Sequence, residues 1–301
     1  MTTQSQGRWV RPAGSTAGDG WQTRIEPDGA DWHHTGLLVA DLAAGESREL
    51  DTDDREYLVV PLSGGCTVSV DALEWTLQGR ADVFAGATDI VYAPPGSRVR
   101  MTADKPARIA VPFAVVPAGR AVPEPHRIDA DDVPVEMRGT GVASREVRNF
   151  GTPATLQAAS IIACEVLTPA GNWSSWPPHK HDEHLPGVES ELEEIYYYEL
   201  AAVDGAPQSA AAIGYQRVYG TDDRPFDVLA EIRTGDVVLI PHGWHGPSTA
   251  PPGYDLYYLN VMAGPGPERA WLITDDPAHG WVRSRWEHET VDPRLPFGGT
   301  R

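Results

Sequence analysis

The chain has 301 residues, of which 41% are apolar, so it can bury a full hydrophobic core in one large or two ordinary domains. Its 43 acidic residues against 24 basic ones give a net charge of −19, which repels phosphate backbones and anionic lipids. We therefore expect neither a nucleic-acid nor a membrane partner. A small anionic substrate is compatible with this surface only where a local cation attracts it.

Cysteine usage and hydropathy bear on the compartment. The first residues lack the apolar core of a signal peptide, and the sequence contains no apolar run of about 18 residues that could span a membrane. Cys66 and Cys164 lie far apart in apolar, strand-like contexts, which favours buried free thiols over a disulfide. These features predict a cytoplasmic protein.

The first part of the chain reads as a tail followed by a β-domain. Residues 1–20 are polar and Gly-rich, and we expect them to form a flexible tail. From there, short apolar runs such as TGLLVADL, EYLVVPLSG and DIVYAPPGS recur roughly every ten residues between Gly, Pro and Asp. Few segments keep the 3.6-residue apolar period of a helix. The pattern predicts an all-β domain, a sandwich or barrel, over residues 21–120.

A second β-domain follows a linker. Residues 121–144 are rich in Pro and acidic side chains, which predicts a crossover between two domains. The strand rhythm resumes over residues 145–301, with runs such as EEIYYYEL and DLYYLNVMAG. A motif of Gly and Asp, an apolar strand and a Pro-containing turn occurs in both halves, at Gly86–Gly96 and Gly235–Gly243, and favours two similar barrels. Three tryptophans near the end are expected to pack back over the second barrel: Trp271, Trp281 and Trp286.

Half of the histidines lie in one part of the second domain, between residues 179 and 245. In WPPHKHDEH the two prolines favour an extended chain, so His179 and His181 should begin a strand and project to one face, with Lys180 on the other. Two imidazoles on one face are typical of a transition-metal site. Two neighbouring surface histidines are the alternative.

Two further segments each offer one ligand, with an alternative in each case. In ELEEIYYYEL, Glu193 and Glu194 face opposite sides of a strand, so only one can join the histidines. A carboxylate inside an apolar strand is costly unless it is paired or bound to metal. In GDVVLIPHGWHGPS, a turn delivers either His242 or His245, and His245 is favoured because it begins the next strand.

This order of His-x-His, Glu and Pro-x-Gly-x-His on antiparallel strands resembles the cupin superfamily, in which three histidines and a glutamate hold a metal inside a small β-barrel. Two spacings depart from the common pattern. The 12 residues between His181 and Glu194 exceed the usual gap and predict a loop over the barrel mouth, and the gap from Gly243 to His245 is one residue short. The strings GNWSSWPPHKHD, LEEIYYYE, QRVYG, PHGWHGPS and DLYYLNVMAG are similar to the 5-deoxy-glucuronate isomerases of myo-inositol catabolism. These are bicupins related to the 4-deoxy-threo-5-hexosulose-uronate ketol-isomerases, and the likeness is strongest from about Arg145 to Gly264.

The resemblance implies an all-β bicupin of two jelly-roll barrels, the first without metal. It implies metal ligands at His179, His181, Glu194 and His245. The implied reaction converts 5-deoxy-D-glucuronate to 5-dehydro-2-deoxy-D-gluconate, an aldose–ketose isomerisation through a metal-stabilised enediolate. Zn²⁺ is the expected divalent metal, with Mn²⁺, Fe²⁺ or Ni²⁺ as alternatives. A metal-dependent cupin dioxygenase and a non-enzymatic sugar-binding bicupin are the alternative functions.

Other site residues are less constrained by the sequence. Arg217 is expected to bind the substrate carboxylate because a guanidinium can grip it with two hydrogen bonds, although only one of Gln216 and Arg217 can line the barrel. Lys180 is a second candidate for substrate binding. Exposed edge strands favour a homo-oligomer. The candidate proton carriers are Tyr196, which shares a face with Glu194, and four others: His242, Tyr258, Asp182 and His184.

Overall fold

Short apolar runs between Gly, Pro and Asp turns form strands throughout the computed structural model, which describes residues 6–298. The first half contains a helical turn and ten strands: α1 (Gln6–Trp9), β1 (Val10–Arg11), β2 (Thr23–Ile25), β3 (Thr35–Leu42), β4 (Ser47–Asp51), β5 (Arg55–Val70), β6 (Leu73–Arg80), β7 (Ile90–Ala93), β8 (Arg98–Thr102), β9 (Ala107–Val115) and β10 (His126–Ile128).

The second half continues with strands and three short 3₁₀ helices. Its elements are η1 (Ala130–Asp132), β11 (Val135–Arg138), η2 (Gly141–Ala143), β12 (Arg145–Gly151), β13 (Ile162–Thr168), β14 (Trp173–Ser174), β15 (His179–Lys180), β16 (Asp182–Leu185), β17 (Glu189–Glu191), β18 (Glu193–Ala202), β19 (Gly214–Tyr219), β20 (Asp227–Ile232), β21 (Val237–Ile240), β22 (Trp244–Thr249), β23 (Tyr254–Ala263), β24 (Thr274–Asp275) and η3 (Gly280–His288).

Two large antiparallel sheets repeat one strand order. The first sheet runs β10-β7-β5-β9-β3-β2, and the second runs β1-β21-β18-β23-β13-β12, with β11 beyond β12. The repeated turn motif of the sequence places β7 and β21 at the same position in the two sheets, beside β5 and β18 respectively. The all-β expectation and the internal repeat are therefore confirmed.

A smaller layer completes each barrel. Strands β4, β6 and β8 pair with each other or with β5 in the first half, and the order β20-β19-β22-β15-β24 forms the layer in the second. Each barrel has its own buried apolar core, and a third core lies between the barrels. Strands such as EEIYYYEL are apolar on both faces because one face fills a barrel and the other fills this shared core.

The expected tail and linker both contribute strands to the large sheets. Within residues 1–20, β1 pairs with β21 of the second sheet, with Val10 opposite Val238. Backbone hydrogen bonds therefore fix this part of the expected flexible tail, while residues 1–5 lie outside the described residues. Within residues 121–144, β10 pairs with β7 and β11 pairs with β12, so the expected linker adds a strand to each large sheet. The domain boundaries themselves stay a prediction.

Two buried carboxylates connect the barrels reciprocally. Glu56, near the start of β5, accepts hydrogen bonds from the backbone N–H groups of residues 159–161, which lead into β13. Glu193, at the start of β18, accepts them from residues 33–35, which lead into β3. Because β5 and β18 occupy matching places, as do β3 and β13, the two contacts are related by the internal repeat.

Both cysteines are buried and free, as the sequence predicted. Burial raises the pKa of the Cys66 thiol to about 12, so this thiol stays protonated. None of the helices within residues 6–298 has the length and apolar character that crossing a bilayer requires.

Candidate active site

Two paired strands of the second barrel bring three imidazoles together. His179 on β15 lies directly opposite His245 on β22, with ring centroids 4.3 Å apart. The ring of His181 lies 4.7 Å from that of His245. One nitrogen of each ring lies within 4.8 Å of the other two, and all three side chains are buried. The structure brings His245, and not His242, into this cluster.

Glu194 adds a carboxylate to the three imidazoles. Its Oε2 lies 3.1 Å from Nε2 of His181 and 3.1 Å from Nε2 of His245. The preceding residue, Glu193, projects to the opposite face of β18 and binds the first barrel. Strand alternation thus resolves this pair, because only Glu194 faces the imidazoles.

Hydrogen bonds behind the rings decide which nitrogens face the cluster. Nδ1 of His181 donates to the Leu192 carbonyl at 3.2 Å, and Nδ1 of His245 donates to the Gly243 carbonyl at 3.1 Å. A carbonyl oxygen only accepts, so in the neutral rings each Nε2 presents its lone pair to Glu194. Nε2 of His245 is buried and has no hydrogen-bond partner among the described residues. The nitrogen lone pairs and the Glu194 carboxylate converge on one point. Such groups are ligands of divalent metals, so these residues fit a divalent metal.

Burial controls the protonation of these groups. Burial, and next the adjacent imidazoles, hold the pKa of His179 well below its usual value. Burial would also lower the pKa of His181, but Nε2 of the protonated ring donates to Glu194, and this hydrogen bond and the charge of Glu194 outweigh burial and raise that pKa. Burial would raise the pKa of Glu194, yet its interactions with the rings of His181 and His245 hold it below the usual value. The cluster therefore contains an ionised carboxylate and, at His179, a neutral imidazole, both of which are metal-binding forms.

Gly243 shapes the turn that delivers His245. Its φ of +97° is one that side-chain-bearing residues rarely adopt, and a Cβ there would lie 2.7 Å from the Tyr219 carbonyl oxygen. Its N–H donates to Asp182 Oδ2 at 2.9 Å, which ties the turn to the β16–β17 hairpin. The long gap before Glu194, expected to form a loop, is this hairpin.

Lys180 projects away from the imidazoles, into a group of carboxylates. Its Nζ lies 2.7 Å from Asp182, 2.8 Å from Glu183 and 2.8 Å from Glu189, and its side chain is 11% exposed. The predicted contact between Lys180 and substrate is therefore not supported by its position, because three carboxylates of the hairpin already surround the ammonium group.

A cavity of about 450 Å³ opens beside the cluster. On the barrel side it is lined by His179, Glu194, Tyr196 and Asn260. The opposite wall comes from β11, the start of β12 and the C-terminal segment: Arg138, Arg145, Trp271, Ile273, Arg283 and Trp286. The C-terminal segment thus packs over the barrel through two of the three expected tryptophans, while Trp281 is 63% exposed.

Two polar groups of the cavity wall lack an internal partner. The Tyr196 hydroxyl makes no hydrogen bond to another described residue, and Nδ2 of Asn260 is buried without one. Burial, and next the charge of Glu194, raise the pKa of Tyr196 well above its usual value. The wall of the cavity therefore contains two hydrogen-bond donors that no described residue uses.

The other candidate proton carriers do not line this cavity. The Tyr258 hydroxyl is buried and lies 2.5 Å from the Ser174 hydroxyl. His242 is half-buried inside its turn, and Asp182 binds Lys180. His184 is exposed on the hairpin.

Arg217 lies on the outer face of β19, which corrects its predicted role at the substrate carboxylate. The strand register buries Gln216, which accepts a hydrogen bond from Tyr198 at 2.9 Å, and turns Arg217 outward to pair with Asp227. The cavity arginines are instead Arg138, Arg145 and Arg283. No local motif marks these three, since they come from β11, β12 and η3 and meet only through long-range packing.

The chain is similar to known proteins over most of its length. The sequence matches the KduI/IolB family over residues 9–282. It is 39% identical over 277 residues to the 5-deoxy-glucuronate isomerase of Geobacillus kaustophilus, an alignment that covers 91% of this chain and 95% of that protein. The protein of the same name from Bacillus subtilis (strain 168) is 37% identical over 263 residues, covering 87% and 92% of the two chains.

Solved structures show the same architecture. An IolB-like protein from Salmonella typhimurium superposes with a TM-score of 0.81 at 34% identity, covering 91% of this chain and 99% of that one. The oxalate decarboxylase of Lactobacillus farciminis superposes with a TM-score of 0.59 at 12% identity, covering 84% and 82%. The second likeness concerns the fold alone, and it confirms the expected bicupin.

Proposed function

The chain belongs to the KduI/IolB family, and from this premise we propose that it is an aldose–ketose isomerase that converts 5-deoxy-D-glucuronate to 5-dehydro-2-deoxy-D-gluconate in myo-inositol catabolism. The observation that carries the proposal is the buried cluster of three imidazoles and a carboxylate beside a cavity of about 450 Å³. Curated relatives are named for this isomerase activity, which favours it over the dioxygenase and the non-enzymatic sugar-binding alternatives.

We assign His179, His181, Glu194 and His245 to hold a divalent metal. An imidazole-rich set suits Zn²⁺, with Mn²⁺, Fe²⁺ and Ni²⁺ as chemical alternatives. When bound, such a cation supplies Lewis-acid stabilisation of the negative charge that develops on substrate oxygens.

Residues of the cavity wall position the sugar. Tyr196 keeps its proton because of its raised pKa, so its Oη donates a hydrogen bond to a substrate oxygen. Nδ2 of Asn260 donates to a second oxygen. Trp271 and Trp286 cover the cavity from the side of the C-terminal segment and exclude water during proton transfer.

Anaerobic turnover tests the proposal. The protein is loaded in turn with Zn²⁺, Mn²⁺, Fe²⁺ or Ni²⁺ and incubated with 5-deoxy-D-glucuronate without oxygen, and the proton on the aldehyde carbon is followed by NMR. We expect this signal to disappear as the ketose forms. Turnover that needs both oxygen and Fe²⁺ would support a dioxygenase, and binding without turnover under every metal would support a sugar-binding protein. Either result overturns the proposal.

The metal ligands are tested by matched histidine substitutions. We expect His181→Ala to lose both stoichiometric metal and turnover, because its Nε2 faces Glu194 inside the cluster. His184→Ala, on the exposed hairpin, should keep both. Metal content by elemental analysis, measured beside the NMR assay, checks this, and a His181→Ala protein that keeps one metal per chain would contradict the assignment.

The setting of the enzyme is also part of the proposal. The buried free thiols of Cys66 and Cys164 favour a reducing compartment, so we propose a cytoplasmic location. The net charge of −19 favours a small substrate over nucleic acid. A homo-oligomer stays a prediction, which light scattering in solution checks.

A further inference from the structure

The three arginines of the cavity differ in their partners. Arg138 pairs with Glu136 at 2.9 Å, and Arg283 pairs with Asp275 through two of its nitrogens. Arg145 forms no ion pair with any carboxylate among residues 6–298, although its side chain is as much a part of the wall as the other two. Within the described part of the chain, Arg145 is therefore the one of the three cavity arginines without a direct ion pair, although the carboxylates of Glu136 and Glu194 line the same cavity.

Arg145 is also the most deeply placed of the three. The residue is 6% exposed, and its Nη1 donates only to two backbone carbonyls, of Ala143 at 3.2 Å and of Trp176 at 3.4 Å. A buried guanidinium without an anion is destabilising, since carbonyl dipoles replace only part of its hydration. Burial lowers the pKa of Arg145 to about 10, and the positive charges of Arg138 and Arg283 act in the same direction, yet the group stays charged at neutral pH.

The surroundings keep this guanidinium at the cavity. Arg145 begins β12, and its guanidinium carbon lies 5.9 Å from the ring centre of Trp286 on η3. A Cβ on Gly139 would lie 2.3 Å from the Ala143 carbonyl oxygen and 3.0 Å from Nη1 of Arg145, so a glycine here leaves room for both the turn and the guanidinium. His179 and Glu194 line the same cavity, which places the unpaired cation and the metal-binding cluster in one space.

We propose that Arg145 binds the carboxylate of the substrate and thereby makes the site selective for sugar acids over neutral sugars. This inference rests on the proposed function. A guanidinium presents parallel N–H donors that match the two oxygens of a carboxylate. The other two guanidiniums are already paired, so the cavity binds one anionic group. The opposite end of the sugar then lies towards the imidazole cluster.

Equilibrium binding tests this separately from catalysis. D-glucuronate and D-glucose differ by a carboxylate in place of a hydroxymethyl group, and titration calorimetry measures both on the metal-loaded protein. We expect the wild type to prefer glucuronate by about 50-fold and Arg145→Gln to reduce that preference to about threefold, with glucose binding unchanged. Arg217→Gln, the same change on the outer face of β19, should keep the wild-type preference.

Each remaining outcome decides for or against Arg145. No preference in the wild type, an unchanged preference in Arg145→Gln, or a lost preference in Arg217→Gln would overturn the inference. If Arg145→Gln does not fold, Arg145→Lys is tested in its place. Lysine keeps the positive charge but lacks the paired N–H donors of the guanidinium, so it should show an intermediate preference for glucuronate.

Turnover distinguishes this inference from the proposed function. In an active isomerase, Arg145→Gln should raise KM for 5-deoxy-D-glucuronate by about 30-fold with a smaller fall in kcat. A wild type that selects glucuronate through Arg145 but never isomerises its substrate would refute the proposed function and leave the anion site standing. An active enzyme whose KM is unchanged in Arg145→Gln would refute this inference alone.

Discussion

At Tyr196 a phenol faces the cavity without a partner, whereas two residues along the same strand the Tyr198 hydroxyl is satisfied by Gln216. We predict that Tyr196→Phe lowers kcat by about 100-fold with little change in KM, because a hydrogen bond to developing charge is lost. Tyr198→Phe should keep kcat within a few-fold and lower the free energy of unfolding by about 1 kcal/mol. Steady-state kinetics and urea unfolding of both variants check this, and an equal loss of kcat in the two would assign the effect to packing.

Strand alternation explains which residue predictions agree with the structure. A period of two is a local property, so the sequence alone put His179 with His181 and Tyr196 with Glu194. The choice between Gln216 and Arg217 depends on the register of β19 against β20 and β22, which distant residues determine. The chemistry of carboxylate binding favoured Arg217 as the residue that faces the barrel interior. The structure instead buries Gln216, whose side-chain oxygen accepts a hydrogen bond from Tyr198.

At the scale of elements, the β16–β17 hairpin depends on Lys180. Its ammonium holds three carboxylates of the hairpin, two of them on side chains no more than 8% exposed. We predict that Lys180→Met lowers the free energy of unfolding by about 3 kcal/mol, since buried carboxylates lose their counterion, and weakens metal binding by displacing the flanking histidines. The exposed Lys105→Met is the matched control.

Denaturant unfolding and metal stoichiometry after dialysis measure both consequences. If Lys180→Met instead kept its metal and stability and only raised KM, the ammonium would act on the substrate, as the sequence alone suggested.

The segment after η3 is anchored by Asp292. Its carboxylate binds Arg294 and accepts a hydrogen bond from Asn172 at 3.0 Å. The contacts with Arg294, and next with Asn172, lower the pKa of Asp292 to about 2. Because the folded pKa lies below the unfolded value of 3.8, this stabilisation is complete above about pH 4 and is lost as the pH falls towards 2.

We predict that Asp292→Asn removes this pH dependence locally. Amide exchange of residues 280–298 should be about tenfold faster in the variant at neutral pH, corresponding to about 1.4 kcal/mol, with little further change between pH 4 and pH 2. The wild type should lose protection across that window. Exchange mass spectrometry, corrected for intrinsic rates, checks this against Asp104→Asn on the first barrel, and parallel pH profiles of Asp292→Asn and wild type would contradict it.

The elements that the sequence did not reveal are short. Strand β1 has two residues and β10 has three, too few for alternation to distinguish a strand from a loop. The partner of β1 is β21, in the opposite half of the chain, and the partner of β10 is β7, about 36 residues away. Only the assembled sheets provide the edges on which such short strands form.

For the whole molecule, the internal repeat extends to the contacts between the barrels. Strand β1 precedes the first barrel but extends the sheet of the second, and β10 precedes the second barrel but extends the sheet of the first. In the same way, the carboxylates of Glu56 and Glu193 each accept backbone hydrogen bonds from the other barrel. Tyr57 occupies in the first barrel the place that Glu194 has in the second, and its ring packs on Phe113 at 4.8 Å. The repeat therefore preserves the contacts between barrels, while the barrel interiors have diverged.

Each barrel is stabilised by a buried carboxylate that belongs to the other barrel. Glu193 accepts hydrogen bonds from the N–H groups of residues 33–35, so Glu193→Gln, which places an amide among donors, should lower protection of residues 33–42 in the first barrel. Glu56→Gln should do the same to residues 159–168 in the second. We expect the free energy of opening of the affected segment to fall by about 2 kcal/mol in each case, measured by amide exchange of the two segments, and no change from the exposed Glu74→Gln.

If only the barrel that carries the substitution lost protection, the carboxylates would not couple the barrels. If each substitution acts across the interface, the two barrels fold as one cooperative unit, and the metal-binding half is stabilised by the half expected to lack a metal.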